Sequence, residues 1–175
     1  MATFEERLTG GHPNSLGNTV EVVDEVLGDQ RKLEELFNCY FSEDEVVRLR
    51  TSNAMKRVMK VESEWLVPYL DRLLEDISQI DQASAQWTLA QLFAGLDSYM
   101  SDAQLVKAKT VVKRNLETSD DWIVLNASLQ TLGDWARRDE ALKEWLKPHL
   151  GRLSKDSRKS VANRARKIQK LLSRP

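Results

Sequence analysis

Apolar residues recur along this chain at three- and four-residue spacings, and a capping residue such as Asn, Asp or Ser stands ahead of most of these stripes. That is the signature of amphipathic helices with capped N-termini. Asn18 opens a helix that Gly28 closes, and Asp29 opens the next, with Leu33, Leu36, Phe37 and Tyr40 on one face. Ser42 and Glu45 make a capping-box pair ahead of a long helix to about Val61, with Val47, Thr51, Ala54, Met55 and Val58 inward. Ser63 or Glu64 starts a helix that buries Leu66, Leu70, Leu73, Leu74 and Ile77. Asp81 precedes the stripe Ala85, Leu89, Leu92, Phe93 and Leu96, and Ser101 caps a helix carrying Leu105, Val106, Val112 and Leu116. Ser119 or Asp120 caps one with Ile123, Leu125, Leu129, Leu132 and Trp135; Asp139 starts another. Ser157 starts the last, with Val161, Ala165, Ile168 and Leu172 in line. No segment alternates with period two over five or more residues, so no strand is expected.

The pattern also repeats at long range. Glu64-Trp65-Leu66-Val67-Pro68-Tyr69-Leu70-Asp71-Arg72-Leu73-Leu74-Glu75-Asp76 returns eighty positions later, from Glu144 to Asp156, with eight of thirteen positions identical. Pro68 and Pro148 are each expected to fix the opening turn of a helix, where a missing amide costs least. Helix starts of one type fall near Glu43, Asp81, Asp120 and Ser157, at intervals of 38, 39 and 37. A pair of antiparallel helices of that length cannot bury both apolar faces alone, so stacking on neighbours is implied.

Leu36-Phe37, then Ser42-Glu43-Asp44-Glu45-Val46-Val47-Arg48, then Thr51, Ala54, Met55 and Val58 resemble the HEAT-repeat pattern of an acidic turn running into Val-Arg. Lys159 to Ala165 and Asp120 to Ala127 are weaker echoes that lack the Arg. The resemblance covers roughly residues 18–172 and is to helical repeats of the HEAT or armadillo kind. It implies an all-α, right-handed superhelix of about four helical hairpins plus a terminal capping helix, with a concave binding face lined by the second helix of each pair. Residues 1–17, turn-rich at Gly10-Gly11-His12-Pro13-Asn14-Ser15, read as a flexible arm ahead of a repeat domain over 18–175.

Composition changes this picture little. The chain has 175 residues, is 41% apolar and 30% charged, and carries few Gly or Pro, which fits one soluble helical domain. No apolar run reaches bilayer length and no signal-peptide pattern opens the chain, so no membrane association and a cytoplasmic location are expected. Cys39 is the single cysteine, set among aromatics, and reads as a buried thiol. His12 and His149 have no ligand-spaced partners. Glycine loops for phosphates and nucleophile motifs are lacking, so no metal, cofactor or catalytic residue is expected.

Charge changes it more. Residues 1–41 hold three basic and eight acidic residues, net −5, whereas residues 143–175 hold eleven basic and two acidic, net +9. If the second helices line the groove, as the resemblance implies, Lys107, Lys113, Arg114, Lys147, Arg152 and Lys155 converge there. Arg158, Lys159, Arg166, Lys167 and Lys170 form a basic capping face on the last helix. The leading expectation is a non-enzymatic scaffold that binds a partner protein or peptide in that groove. The alternative is nucleic-acid binding through the basic half, or, by analogy with HEAT-like glycosylases, alkylation repair with Asp120, Asp121 or Asp134 as carboxylates and the tryptophans as base contacts. Each of those features has a plainer reading: capping for the carboxylates, core packing for the tryptophans, solvation for the cations. Head-to-tail association of the acidic and basic ends is a third possibility.

Overall fold

A computed structural model describes residues 1–175, and every regular element in it is helical. Two rows of helices alternate along the chain. The first row is α2 (Thr19–Gly28), α4 (Glu45–Val61), α6 (Ala83–Leu96), α8 (Trp122–Ala136) and α10 (Lys159–Leu172). The second row is α3 (Leu33–Asn38), α5 (Leu70–Glu75), α7 (Asp102–Thr118) and α9 (Glu140–Leu153), and α1 (Phe4–Leu8) precedes both. The last four first-row helices begin 38, 39 and 37 residues apart, the intervals read from the sequence. Each first-row helix packs on the next in unbroken order, from α2 through α10. One continuous apolar core runs between the rows, from Phe4 and Leu8 to Ile168 and Leu172.

Polar ties between units have nearly the same period as the helices. Arg72 pairs with Glu34 at 2.8 Å, Arg114 donates to the Ser78 carbonyl at 2.6 Å, and Trp135 Nε1 donates to Asp97 at 3.0 Å. Thr131 donates to the Ala90 carbonyl at 2.9 Å, and Arg158 reaches the Asp120 carbonyl at 2.5 Å. Arg48, the Arg of the Val-Arg pattern, donates to Gln82 at 2.7 Å at the start of α6. Gln82 in turn donates to the Glu45 carbonyl at 2.9 Å. Each such bond offsets the desolvation of groups caught between stacked helices.

Several local expectations need correction. The box at Ser42 and Glu45 does not form. Asp44 caps α4 by accepting from the Val46 amide at 2.8 Å, and the Ser42 hydroxyl accepts from the Asp44 amide. Gln82 and Arg158, not Asp81 and Ser157, stand at the starts of α6 and α10, and neither offers a side-chain cap. Ser101 caps α7, in a full capping box with Gln104, and Asp139 caps α9, whereas Asp121, not Ser119 or Asp120, caps α8.

Residues 1–17, read from sequence as an arm, make the following contacts. Phe4 and Leu8 of α1 enter the core at 3% and 0% exposure. Arg50 on α4 is itself buried and gathers the carbonyls of Leu8, Gly10, His12 and Ser15 around one guanidinium. Gly17 lies at φ 53°, and a Cβ there would meet Arg50 Nη1 at 2.9 Å, so glycine is required both by backbone and by space.

The two copies of the thirteen-residue motif fold differently. Ser63–Tyr69 is a 3-10 stretch that passes into α5 at Leu70, so Pro68 does sit in an opening segment. Asp139 caps its helix five residues ahead of the motif, which leaves Pro148 in the interior of α9. There it denies the Glu144 carbonyl its amide partner, at up to about 3 kcal/mol relative to Ala. Pro148 is exposed, so little packing is lost by removing it. Pro148→Ala is expected to stabilise the protein by about 2 kcal/mol after the gain in unfolded-chain entropy is subtracted. Urea denaturation measures it, and an unchanged or lower midpoint would contradict the account.

Candidate functional site

The sequence-predicted cations do not form one free groove. Lys107 is held by Glu75 at 3.0 Å, Lys147 by Glu144 at 2.5 Å, and Arg114 by the Ser78 carbonyl. Lys113 lies over the Trp145 ring at 5.0 Å, and that ring stacks on His149 at 4.3 Å. Arg152 approaches His149 Nδ1 at 3.4 Å, so Lys113 and Arg152 do meet around one aromatic pair. Burial and then the Arg152 charge push the His149 pKa below its ordinary value. Lys155 is exposed and makes no side-chain bond. On the last helix Arg158 is committed to Asp156 and Asp120, which drive its pKa up, whereas Lys159, Arg166, Lys167 and Lys170 face solvent.

The carboxylates singled out for repair chemistry are engaged as well. Asp121 accepts from the amides of Ile123 and Val124 at 2.9 and 3.1 Å, and Asp134 accepts from Gln130 at 3.0 Å. Asp120 takes the Arg158 guanidinium. Cys39 is buried, and desolvation with nearby Glu5 and Glu35 lifts its thiol to about 12, so it is unreactive at neutral pH. No three His, Cys, Asp or Glu side chains are grouped to hold a metal ion. No helix is long and apolar enough to cross a membrane.

The more specific surface lies on the first row. A cleft of about 380 Å³ between α6, α8 and α10 is lined by Gln91, Trp122, Asn126, Gln130, Asp134 and Arg164 among others. On α8, Trp122, Asn126, Gln130 and Asp134 follow at four-residue steps, which places them on one stripe. Trp122 is 51% exposed, the largest exposed aromatic side chain after Phe41 by fraction. Arg164 of α10 donates to the Gln130 carboxamide oxygen, and Gln130 donates on to Asp134, so three helix-borne side chains hold each other in place. Asn126 donates to Ser160 of α10 at 3.3 Å.

No family model, curated protein or solved structure matches this chain. Its site therefore has to be read from its own chemistry. Two acceptors at the cleft, Gln91 Oε1 and Asn126 Oδ1, are closed to solvent and have no hydrogen-bond partner. A buried acceptor left bare costs about 1–3 kcal/mol, which a donor would recover once rotation of the carboxamide turned its oxygen toward the cleft.

Counting from the helix starts shows the register. Trp87 and Asn126 lie five residues after Gln82 and Asp121, and Asn53, Gln91 and Gln130 lie nine after Asp44, Gln82 and Asp121. One amide per unit thus follows the same face from α4 to α8. At its far end a second cleft of about 400 Å³ between α2 and α4 is lined by Asn53, Lys56, Arg57 and Lys60 with Val20 and Val61. Burial, then Lys60 and Arg57, lowers the Lys56 pKa. Sequence reading offered core packing as the plainer account of Trp122 and base contact as the alternative. The available signal was an amide one turn after each of two first-row tryptophans, Trp87-Gln91 and Trp122-Asn126.

Proposed function

We propose that the chain is a HEAT-like helical-repeat scaffold that binds an extended polypeptide segment along its first-row face. The architecture that goes with this reading is a right-handed superhelix of about four hairpins closed by α10. The first row is close-packed throughout, whereas the α7 and α9 backbones of the second row stand apart and meet through Lys109–Asp139 at 2.7 Å and Lys113 over Trp145. In this reading the stack bends with its tight row inside, and the amide stripe rather than the second-row cations lines the concave side.

The unpartnered acceptors of Gln91 and Asn126 carry the choice of ligand. A peptide backbone supplies N–H donors at every non-proline residue, whereas a phosphodiester backbone supplies acceptors only. Packed helices lie about 8–10 Å apart and an extended chain rises about 3.3 Å per residue, so one amide per unit meets about every third peptide residue. Exposed Trp122 then offers an apolar anchor beside the polar ones.

The test is selection of random displayed peptides on the wild-type protein, followed by affinity measurement of the winners. Trp122→Ala is expected to weaken them by about 30-fold, in keeping with about 2 kcal/mol for a buried interface tryptophan. Asn126→Ala should cost several-fold, and the ion-paired sites Lys107→Glu and Lys147→Glu should leave binding within about twofold. Peptides that bind Trp122→Ala as well as wild type would sink the reading. Oligonucleotide binding that disappears in Trp122→Ala would instead give the cleft to stacked bases, the alternative function.

A further inference from the structure

A different set of side chains points to a second ligand. At the α8–α9 turn, Arg137 and Lys143 line a cleft of about 360 Å³ with Arg174. Arg174 also lines a neighbouring cleft of about 170 Å³ with Lys167 and Lys170 of α10, and Leu171 is common to both. These five cations are therefore contiguous, although 37 positions separate the first from the last. No Asp or Glu lines either cleft. None of the five side chains makes an ion pair or a hydrogen bond with the protein, unlike Lys107, Lys147 and Arg158 elsewhere.

The arrangement is not what solvation of a terminal helix requires. Water is served as well by interspersed signs, which also pair along the helix, and like charges one turn apart oppose helix formation. Residues 157–175 nevertheless contain seven Lys or Arg and no acid, with Arg166 and Lys170 four residues apart and Lys167 and Lys170 three apart. Arg137 also borders a cleft with Asp97, Asp134 and Asp139, but Lys143, Lys167, Lys170 and Arg174 have no acid in either of their clefts, and a focused field of this kind attracts polyanions.

We propose that this rim binds the phosphate backbone of nucleic acid. A folded acidic protein is the less fitting partner, because stable protein interfaces close around apolar or aromatic anchors. The large exposed apolar side chains, Leu16, Val20, Phe41, Val61, Tyr99, Val106 and Trp122 apart from Met1, all lie outside residues 136–175. A polyphosphate needs none, since release of condensed counterions drives its binding. The rim is independent of the peptide cleft in its residues, so either assignment can fail without the other.

Fluorescence anisotropy of the full chain with a labelled single-stranded 20-mer, and with the same sequence as duplex, tests the proposal and separates the two sources of phosphate. With all five cations in contact, affinity for the single strand should fall roughly 100-fold between 50 and 200 mM salt, from a slope of about −0.7 per phosphate. The triple variant K167E/K170E/R174E should lose at least about tenfold at 50 mM salt. The neutral K167Q/K170Q/R174Q should fall between it and wild type, with circular dichroism verifying that both fold. K107E/K147E and W122A should bind like wild type. The proposal is overturned by lack of binding at 50 mM salt, by equal binding of the charge-reversed variant, or by loss in W122A. It is equally overturned if poly-glutamate competes as well as unlabelled oligonucleotide, which would assign the rim to an acidic polypeptide.

Discussion

Replacement of Arg50 by methionine is expected to destabilise the protein by about 3–5 kcal/mol and to open residues 1–18 to proteolysis. Arg50 is 2% exposed and has no carboxylate partner. Its charge is accommodated by four carbonyl oxygens, Leu8 at 2.8 Å, Gly10 at 2.6 Å, and His12 and Ser15 at 3.2 Å. Hydrogen bonds to a charged donor contribute about 1.5–3 kcal/mol each, but the segment can rehydrate its carbonyls by detaching, so the four do not add. What detachment then exposes is the apolar surface of Phe4 and Leu8, each about 1.5–3 kcal/mol when buried. Arg50→Lys keeps the charge and three donors without the planar fork, and about half the loss should be recovered. Limited proteolysis with mass spectrometry, alongside urea denaturation, reads both effects. An Arg50→Met protein with an unchanged midpoint and an uncut N-terminus would show that the carbonyl cradle holds nothing.

The same residue shows what sequence could and could not reveal. Arg50 sits in an amphipathic stripe whose neighbours Val47, Thr51 and Ala54 were legible as a buried face, because helical period and burial are local properties. Its partners lie 35 to 42 residues away in a stretch with only two core residues, and no local pattern announces a carbonyl cage. Several helix starts, though not those at Ser101 and Asp139, were displaced by a few residues because neighbouring residues suit the cap equally. Ser42 and Asp44 both suit a cap; Asp44 takes the Val46 amide, while the Ser42 hydroxyl accepts from the Asp44 amide. The interval of the units survived these errors because it is imposed by the need of every pair to bury a face, and each pair repeats that need.

Charge was legible as a total and not as a distribution. The chain ends read as net −5 and +9, yet among the cations chosen from helix type alone Lys107, Lys147 and Arg114 are taken by Glu75, Glu144 and the Ser78 carbonyl, while Lys155 has no side-chain partner. Neutralisation by a partner one unit away cannot be seen until the units are stacked. Lys143, Lys167, Lys170 and Arg174 are among the cations that stacking leaves without a partner, whereas Arg158 is taken by Asp156 and Asp120. Lys167 and Lys170 could be assigned to a basic face because they share one helix, whereas Arg137 and Lys143, far away in sequence, come beside Arg174 only through folding.

Gly133→Val is expected to cost about 3 kcal/mol or more and to displace α10 from α8. Gly133 is buried mid-helix, where glycine by itself is unfavourable by about 1 kcal/mol relative to Ala, so some close approach must require it. A Cβ there would lie 2.7 Å from Ile168 Cδ1 and 2.9 Å from its Cγ2. Ile168 is 1% exposed and β-branched, so it has little room to yield. Overpacking of such a site costs about 1–3 kcal/mol for a methyl group or two, and Val adds three carbons. Gly95→Ala is the matched contrast. Its Cβ would meet the Sδ and Cε of Met59 at 2.6 and 2.8 Å, the flexible end of a long side chain, and Gly95 itself is exposed. That change should be neutral or slightly stabilising. The contact itself is tested by adding Ile168→Ala to Gly133→Val. The double variant should be at least about 1 kcal/mol more stable than the sum of the single losses predicts, because the removed methyl groups make room for the added ones. Simple additivity in denaturation experiments would mean that the two residues do not touch. Because α10 carries Lys167 and Lys170, the single variant should also weaken oligonucleotide binding, and the double variant should restore it.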